Sequence, residues 1–278
     1  MIKGIKKIVT GSVQYDGAGV KLVRVLGNET VMDFDPFLML DAFDSSNPSD
    51  YIKGFPMHPH RGMETITYLI HGDIEHKDSL GNKGSILDGC CQWMTAGSGI
   101  LHQEMPQSTP RMLGVQIWLN LSQKDKMVAP KYHDIKDEMI PVVQEDGVTI
   151  KVIAGVYKTI NGATSGDYVK ITFLDVEMKP NSVWKMENQT NDTFFTYLIE
   201  GEGWFGSNNQ KTQPSRRALL FGDGNEFIVK SANTGLRMLV LIGKPLKEPI
   251  AWGGPIVMNT NQELYTAFKQ IRDGTFIK

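Results

Sequence analysis

Apolar positions along this chain gather in short runs bounded by turn residues. Met63–Ile70 (METITYLI), Val115–Leu121 (VQIWLNL), Thr149–Ala154 (TIKVIA), Tyr168–Met178 (YVKITFLDVEM) and Leu236–Ile242 (LRMLVLI) each predict a strand. Turn signals separate them, among them Leu80-Gly81-Asn82-Lys83-Gly84 and Gly222-Asp223-Gly224-Asn225. The pattern predicts an all-β protein. One helix carries clear end signals. Thr260-Asn261-Gln262-Glu263 reads as a capping box, Leu264, Ala267, Phe268 and Ile271 form an i, i+3, i+4, i+7 stripe, and Gly274 stands where a stop belongs. That stripe is expected to pack on the sheet.

A repeat organises the strands. Tyr68-Leu69-Ile70-His71-Gly72-Asp73 recurs as Tyr197-Leu198-Ile199-Glu200-Gly201-Glu202, 129 residues later. Each copy ends a strand at a glycine. An offset near half the chain predicts a duplicated β domain, hence two antiparallel barrels in tandem. The charged stretch His133–Gly147, crossed by Pro141, places the boundary so that residues 1–135 form one domain and 136–278 the other.

Composition narrows the setting. The 278 residues carry 29 Lys plus Arg against 31 Asp plus Glu, a net charge of −2, which argues against a protein built to hold nucleic-acid phosphates. No apolar run approaches the ~18 residues of a membrane span, and the N-terminus lacks the apolar region of a secretory signal. The two cysteines, Cys90 and Cys91, are neighbours, which fits two reduced thiols and no disulfide framework. These features predict a soluble cytoplasmic protein. The length suffices for two packed barrels, so a monomer is expected.

Histidine supplies the chemistry. All six, His58, His60, His71, His76, His102 and His133, fall in the first half. In extended chain, positions i and i+2 share a face, so His58 and His60 address one spot and His102 and Glu104 another. If the two strands face each other inside a barrel, three imidazoles and a carboxylate converge as a mixed N/O site for Fe, Mn, Ni, Cu, Co or Zn. Glu64 is the rival carboxylate. It lies four residues past His60, about 13 Å along extended chain, and a bend at Gly62 is needed to return it. His71, His76 and His133 sit in a turn, a charged run and the linker, and are expected outside the site. The repeat adds a check, since His58 and His60 map onto Glu187 and Gln189 and no later histidine exists. The second domain is expected to lack metal ligands.

The segments HPHRGMETITYLIHGDIEHKDSLGN and QWMTAGSGILHQEMP resemble the pirin family of the cupin superfamily. The likeness continues through Gln116–Leu121, Pro245–Pro249 and Gly253–Thr260. It implies a bicupin, two jelly-roll-type barrels with a short C-terminal helix and a metal in the first. The family's ligands fall on His58, His60, His102 and Glu104, and its usual metal is iron, so Fe(II) is expected. The resemblance further implies quercetin 2,3-dioxygenase activity on a flavonol-like aromatic substrate and O2, with Glu104 as the general base. The alternative it implies is a non-enzymatic iron- or redox-sensing regulator acting through a protein partner. Phe55, Met57, Met63, Trp93 and Met105 are expected to line the substrate pocket. The sequence departs from relatives at Cys90-Cys91 and at His71, away from the four ligands.

Overall fold

The structure, a computed structural model, describes residues 1–188, 192–206 and 211–277. The chain divides into two compact units. One holds Ser12–Asp137, Asp167–Val169 and Leu246 to the C-terminus; the other holds Met1–Gly11, Glu138–Gly166 and Lys170–Pro245. The expected division at 135/136 lies beside the Asp137/Glu138 join, but the two ends of the chain trade places. Residues 1–11 go to the second unit and 246–277 to the first.

Strand order explains the exchange. The larger sheet of the histidine-bearing unit runs Lys131–Ile135, Cys91–Thr95, Met63–His71, Met112–Asn120, Phe37–Ser45, Val20–Leu26, Ser12–Asp16. Its counterpart runs Ile5–Thr10, Arg217–Phe221, Thr193–Phe205, Glu226–Gly243, Ile171–Met178, Val148–Ala154, Val142–Glu145. The two orders match place for place, and all pairs are antiparallel. An open strand edge offers unpaired backbone groups with which a further strand can pair. In the first unit the next stretch of chain supplies it as Lys131–Ile135. In the second unit Ile5–Thr10 fills that place from the far end.

A four-stranded sheet, Phe55–His60, Ile100–Pro106, Ile74–Asp78 and Lys83–Ile86, accompanies the larger sheet of the first unit. The Ile100–Pro106 strand alternates between buried and half-buried positions, with His102 and Glu104 on its buried face. Met63–Ile70 is buried at every position, its polar Glu64, Thr65 and Thr67 included, so apolar and polar residues do not alternate there with burial.

A large apolar cluster fills much of the second unit among the described residues. Leu174, Trp184, Phe194, Leu219, Phe227 and Val240 belong to one buried cluster. Of the two positions matching His58 and His60, Glu187 is exposed, and Gln189 lies outside the described residues.

The C-terminal segment forms a hairpin, Ala251–Gly253 with Ile256–Met258, and then the helix Asn261–Arg272. The capping box is present: Thr260 Oγ1 accepts from the Glu263 backbone N–H while Glu263 accepts from that of Thr260. The helix stripe packs on Ile256, Met258 and Phe276, so its partner is this hairpin and the tail. No helix among the described residues is long and apolar enough to cross a membrane.

Candidate metal centre

His58 and His102 are direct cross-strand partners, and His60 stands opposite Ile100 one pleat further on. Phe55–His60 is the edge strand of its sheet, which is where a strand containing Pro56 and Pro59 can sit, since proline cannot donate to a ladder. A bulge between His102 and Glu104 shifts the register against Phe55. At bulges the ladder bends and side chains are re-aimed.

The three imidazoles converge. Their ring centroids lie 4.4–4.9 Å apart and their ligand nitrogens all fall within 4.8 Å of one another. The His58 ring has Nδ1 at 2.8 Å from the Pro56 carbonyl, an acceptor, so Nδ1 carries the proton and Nε2 presents a lone pair. That Nε2 is 3.0 Å from Nε2 of His60. The Pro255 carbonyl approaches His60, although Nδ1 does not meet hydrogen-bond geometry with it. His102 Nε2 is buried without a hydrogen-bond partner among the described residues. Burial, and then the neighbouring imidazoles, hold His60 and His102 well below the usual histidine range. Both rings are therefore neutral at pH 7, the form that binds metals. An orphaned buried nitrogen, facing ring nitrogens and neutral rings together fit a first-row divalent ion.

Glu104, 3% exposed, shares a cavity lining with His58 and His60, yet stands outside that tight three-nitrogen group. Thr67 Oγ1 donates to its Oε1 at 3.0 Å and Gln116 Nε2 to its Oε2 at 3.1 Å. Both donors belong to the larger sheet and orient the carboxylate from behind. Glu64 faces elsewhere. Gly62, with φ of 76°, separates the strand of His58 and His60 from that of Glu64, and these strands belong to different sheets. Face parity does not run across such a break. Glu64 instead accepts from Trp93 Nε1 (3.1 Å) and Thr95 Oγ1 (2.8 Å). His71 pairs with Asp88, His133 with Asp167, and His76 with Tyr132, so none of these three joins the cluster.

A cavity of about 490 Å³ opens over the site, within the ~300–1,000 Å³ usual for small-molecule pockets. Phe55, Trp118 and Trp252 supply aromatic wall, and Trp118 meets His60 edge-on at 5.1 Å. Of the five wall residues expected from sequence, Phe55 alone lines it. Met63 is in an apolar core cluster, Trp93 is turned to Glu64, Met57 is 46% exposed, and Met105 lies outside the lining. Sequence neighbours of a ligand strand alternate away from the cavity, whereas Trp118 and Trp252 reach it from other elements. The far side is polar. Arg24 holds Asp41 through Nε (2.9 Å) and Nη2 (2.7 Å), and Nη2 also donates to Asp16 (2.8 Å). Burial pushes the Asp41 carboxyl up to about 6, against the lowering effect of Arg24.

With this geometry established, known proteins offer a comparison. Residues 19–119 match the family model described as Pirin, and residues 173–277 the Pirin C-terminal cupin domain. A pirin-like protein of Caulobacter vibrioides is 42% identical, covering 99% of both chains. Human pirin is 39% identical over 97% of this chain and 94% of its own. The crystal structure of a quercetin 2,3-dioxygenase from Acinetobacter baumannii superposes with a TM-score of 0.89 at 30% identity, covering 99% of each chain. This chain belongs to the pirin family, and its mostly β architecture of two cupin domains is that family's own.

Proposed function

We propose that the chain is a metal-dependent dioxygenase that opens the heterocycle of a flavonol such as quercetin with O2 and releases carbon monoxide. The observation that carries this reading is the convergence of three imidazoles at an aromatic-walled cavity that a positioned carboxylate, Glu104, also lines. The likeness to the Acinetobacter baumannii quercetin 2,3-dioxygenase supports it.

His58, His60, His102 and Glu104 are the proposed ligands, and Fe(II) the proposed metal. A divalent ion bound there supplies Lewis acidity that lowers the pKa of a substrate hydroxyl. Glu104 takes that proton. Thr67 and Gln116 occupy one acceptor position on each of its oxygens, and a carboxylate oxygen offers a second. The aromatic wall of Phe55, Trp118 and Trp252 receives the planar ring system and displaces water from it.

The test is turnover. Protein loaded anaerobically with Fe(II) and then exposed to O2 should bleach the long-wavelength absorbance of quercetin and release carbon monoxide. Full metal occupancy without bleaching would refute the flavonol reading and favour the regulatory one. The ligand assignment has its own check: His58→Ala and His102→Ala should each lose bound metal on dialysis. Retention of one equivalent in both would overturn it.

A further inference from the structure

We propose that Arg61 is a positioning residue of the metal centre, one guanidinium that holds both ligand-bearing strands and the C-terminal segment in register. The inference rests on the metal-centre reading above. Arg61 follows His60 directly, and its side chain is absent from the cavity lining. Nε donates to the Ser98 carbonyl at 2.7 Å, in the turn that leads into the strand of His102. Nη1 donates to Gln270 Oε1 at 2.6 Å, on the C-terminal helix. Nη2 donates to the Phe276 carbonyl at 2.9 Å, and the Phe276 ring lies 4.1 Å from the guanidinium carbon. One side chain thus ties its own strand to two segments far from it in sequence, the Ser98 turn and the C-terminal segment.

The chemistry of this contact is not that of a stability device. Arg61 is 2% exposed and, among the described residues, its three acceptors are two carbonyls and an amide. Burying a cation against neutral acceptors costs desolvation that an apolar residue would avoid. What the guanidinium adds is a rigid planar fork able to bridge several acceptors at fixed angles.

Two glycines give independent support. Gly62 follows one ligand strand, and a Cβ there would stand 1.9 Å from the Val257 carbonyl oxygen. Gly99 precedes the other, and its Cβ would stand 3.1 Å from the Phe276 ring and 3.4 Å from Arg61 Nη2. Both turns are bare where the C-terminal segment lies. Lys126 reinforces the seat, its Nζ donating to the carbonyls of Gly62 (2.8 Å) and Val257 (2.9 Å). The seated segment carries Trp252 and Pro255, which form a wall of the cavity beside His60. Arg61 therefore sets the place of His60, of His102 and of that wall together.

The test uses the full-length protein and reads metal binding without turnover. Ni(II) affinity is measured by chelator competition, and coordination geometry by the visible absorption of the Co(II)-loaded protein. Arg61→Met should weaken Ni(II) binding about 10–100-fold, the range for residues that orient ligands, and alter the Co(II) bands. Ile86→Ala, in an apolar cluster of the same unit, should lower Tm while keeping the parent affinity. Should Arg61→Met not fold, Gln270→Ala/Phe276→Ala removes two of its contacts and should weaken Ni(II) at least roughly threefold, with the same spectral change. A folded Arg61→Met or Gln270→Ala/Phe276→Ala protein with parent affinity and parent spectrum overturns the proposal, as does an Ile86→Ala loss of equal size. A parent that binds neither ion refutes the metal centre itself, a result distinct from an unaltered variant.

Discussion

Thr196 stands in the second unit where Thr67 stands in the first, 129 residues earlier, and the two buried hydroxyls meet opposite fates. Thr67 has Gln92 and Gln116 as ladder partners and donates to Glu104. Thr196 has Leu219 and Val240, and its Oγ1 finds no partner among the described residues. At this place the first unit sets a hydroxyl against a carboxylate, whereas the second sets one among apolar ladder partners.

The contrast predicts opposite responses to the same substitution. Thr196→Val removes a buried hydroxyl with nothing to bond and should raise stability by up to about 1–2 kcal/mol, with metal content unchanged. Thr67→Val strips a charge-assisted bond from Glu104 and should lower stability by about 1–3 kcal/mol. Denaturant titration of the two variants decides it, and equal effects in one direction would contradict the assignment.

Gln116→Leu should act on the metal more than on the fold. The side chain fills similar space, but one oxygen of Glu104 loses its donor. Metal affinity should fall about 10–100-fold. Competition titration at neutral pH measures this, and parent affinity would show that Glu104 needs no support from the sheet.

Glu64 should tilt stability with pH. Burial pushes its carboxyl up to about 7 from 4.5, against the bonds from Thr95 and Trp93 that lower it. The folded chain holds this proton more tightly than the unfolded chain. The resulting stabilisation is full below about pH 4.5 and is lost as pH rises through 7. Glu64→Gln stays neutral throughout, so its stability relative to the parent should rise between pH 5 and 8 by roughly 3 kcal/mol at most. Paired denaturant titrations across that range provide the measurement, and a pH-independent difference would refute the shift.

Phe55→Ala should weaken substrate binding without touching the metal. Phe55 lines the cavity and its ring lies 6.4 Å from that of His58. Loss of the ring should raise KM for quercetin about tenfold, with metal content at the parent level. A fall in kcat at unchanged KM would place Phe55 outside the binding surface.

Much of the site was legible because i and i+2 share a face in extended chain. His58 with His60, and His102 with Glu104, are such pairs, and the structure brings the three imidazoles together and lines one cavity with His58, His60 and Glu104. The rule does not extend to Glu64, the rival carboxylate, because a positive-φ glycine interrupts the strand on which parity is counted. Met57 and Met105 neighbour His58 and Glu104 on their strands and so point to the opposite face, while Met63 and Trp93 belong to strands of the larger sheet. Trp118 and Trp252 had no local signal tying them to the histidines.

The strands, the capped helix, the duplication and the confinement of imidazoles to one half are legible in residue order. Those are local or compositional properties, set by side-chain periodicity, backbone preference and residue count. Tertiary structure alone decided which strand edge the first eleven residues complete, that residues from 246 onward return to the histidine-bearing unit, and that Arg61 holds them there. Long-range pairing depends on which open edge or buried acceptor remains unfilled once the local elements exist. Periodicity carries no record of it.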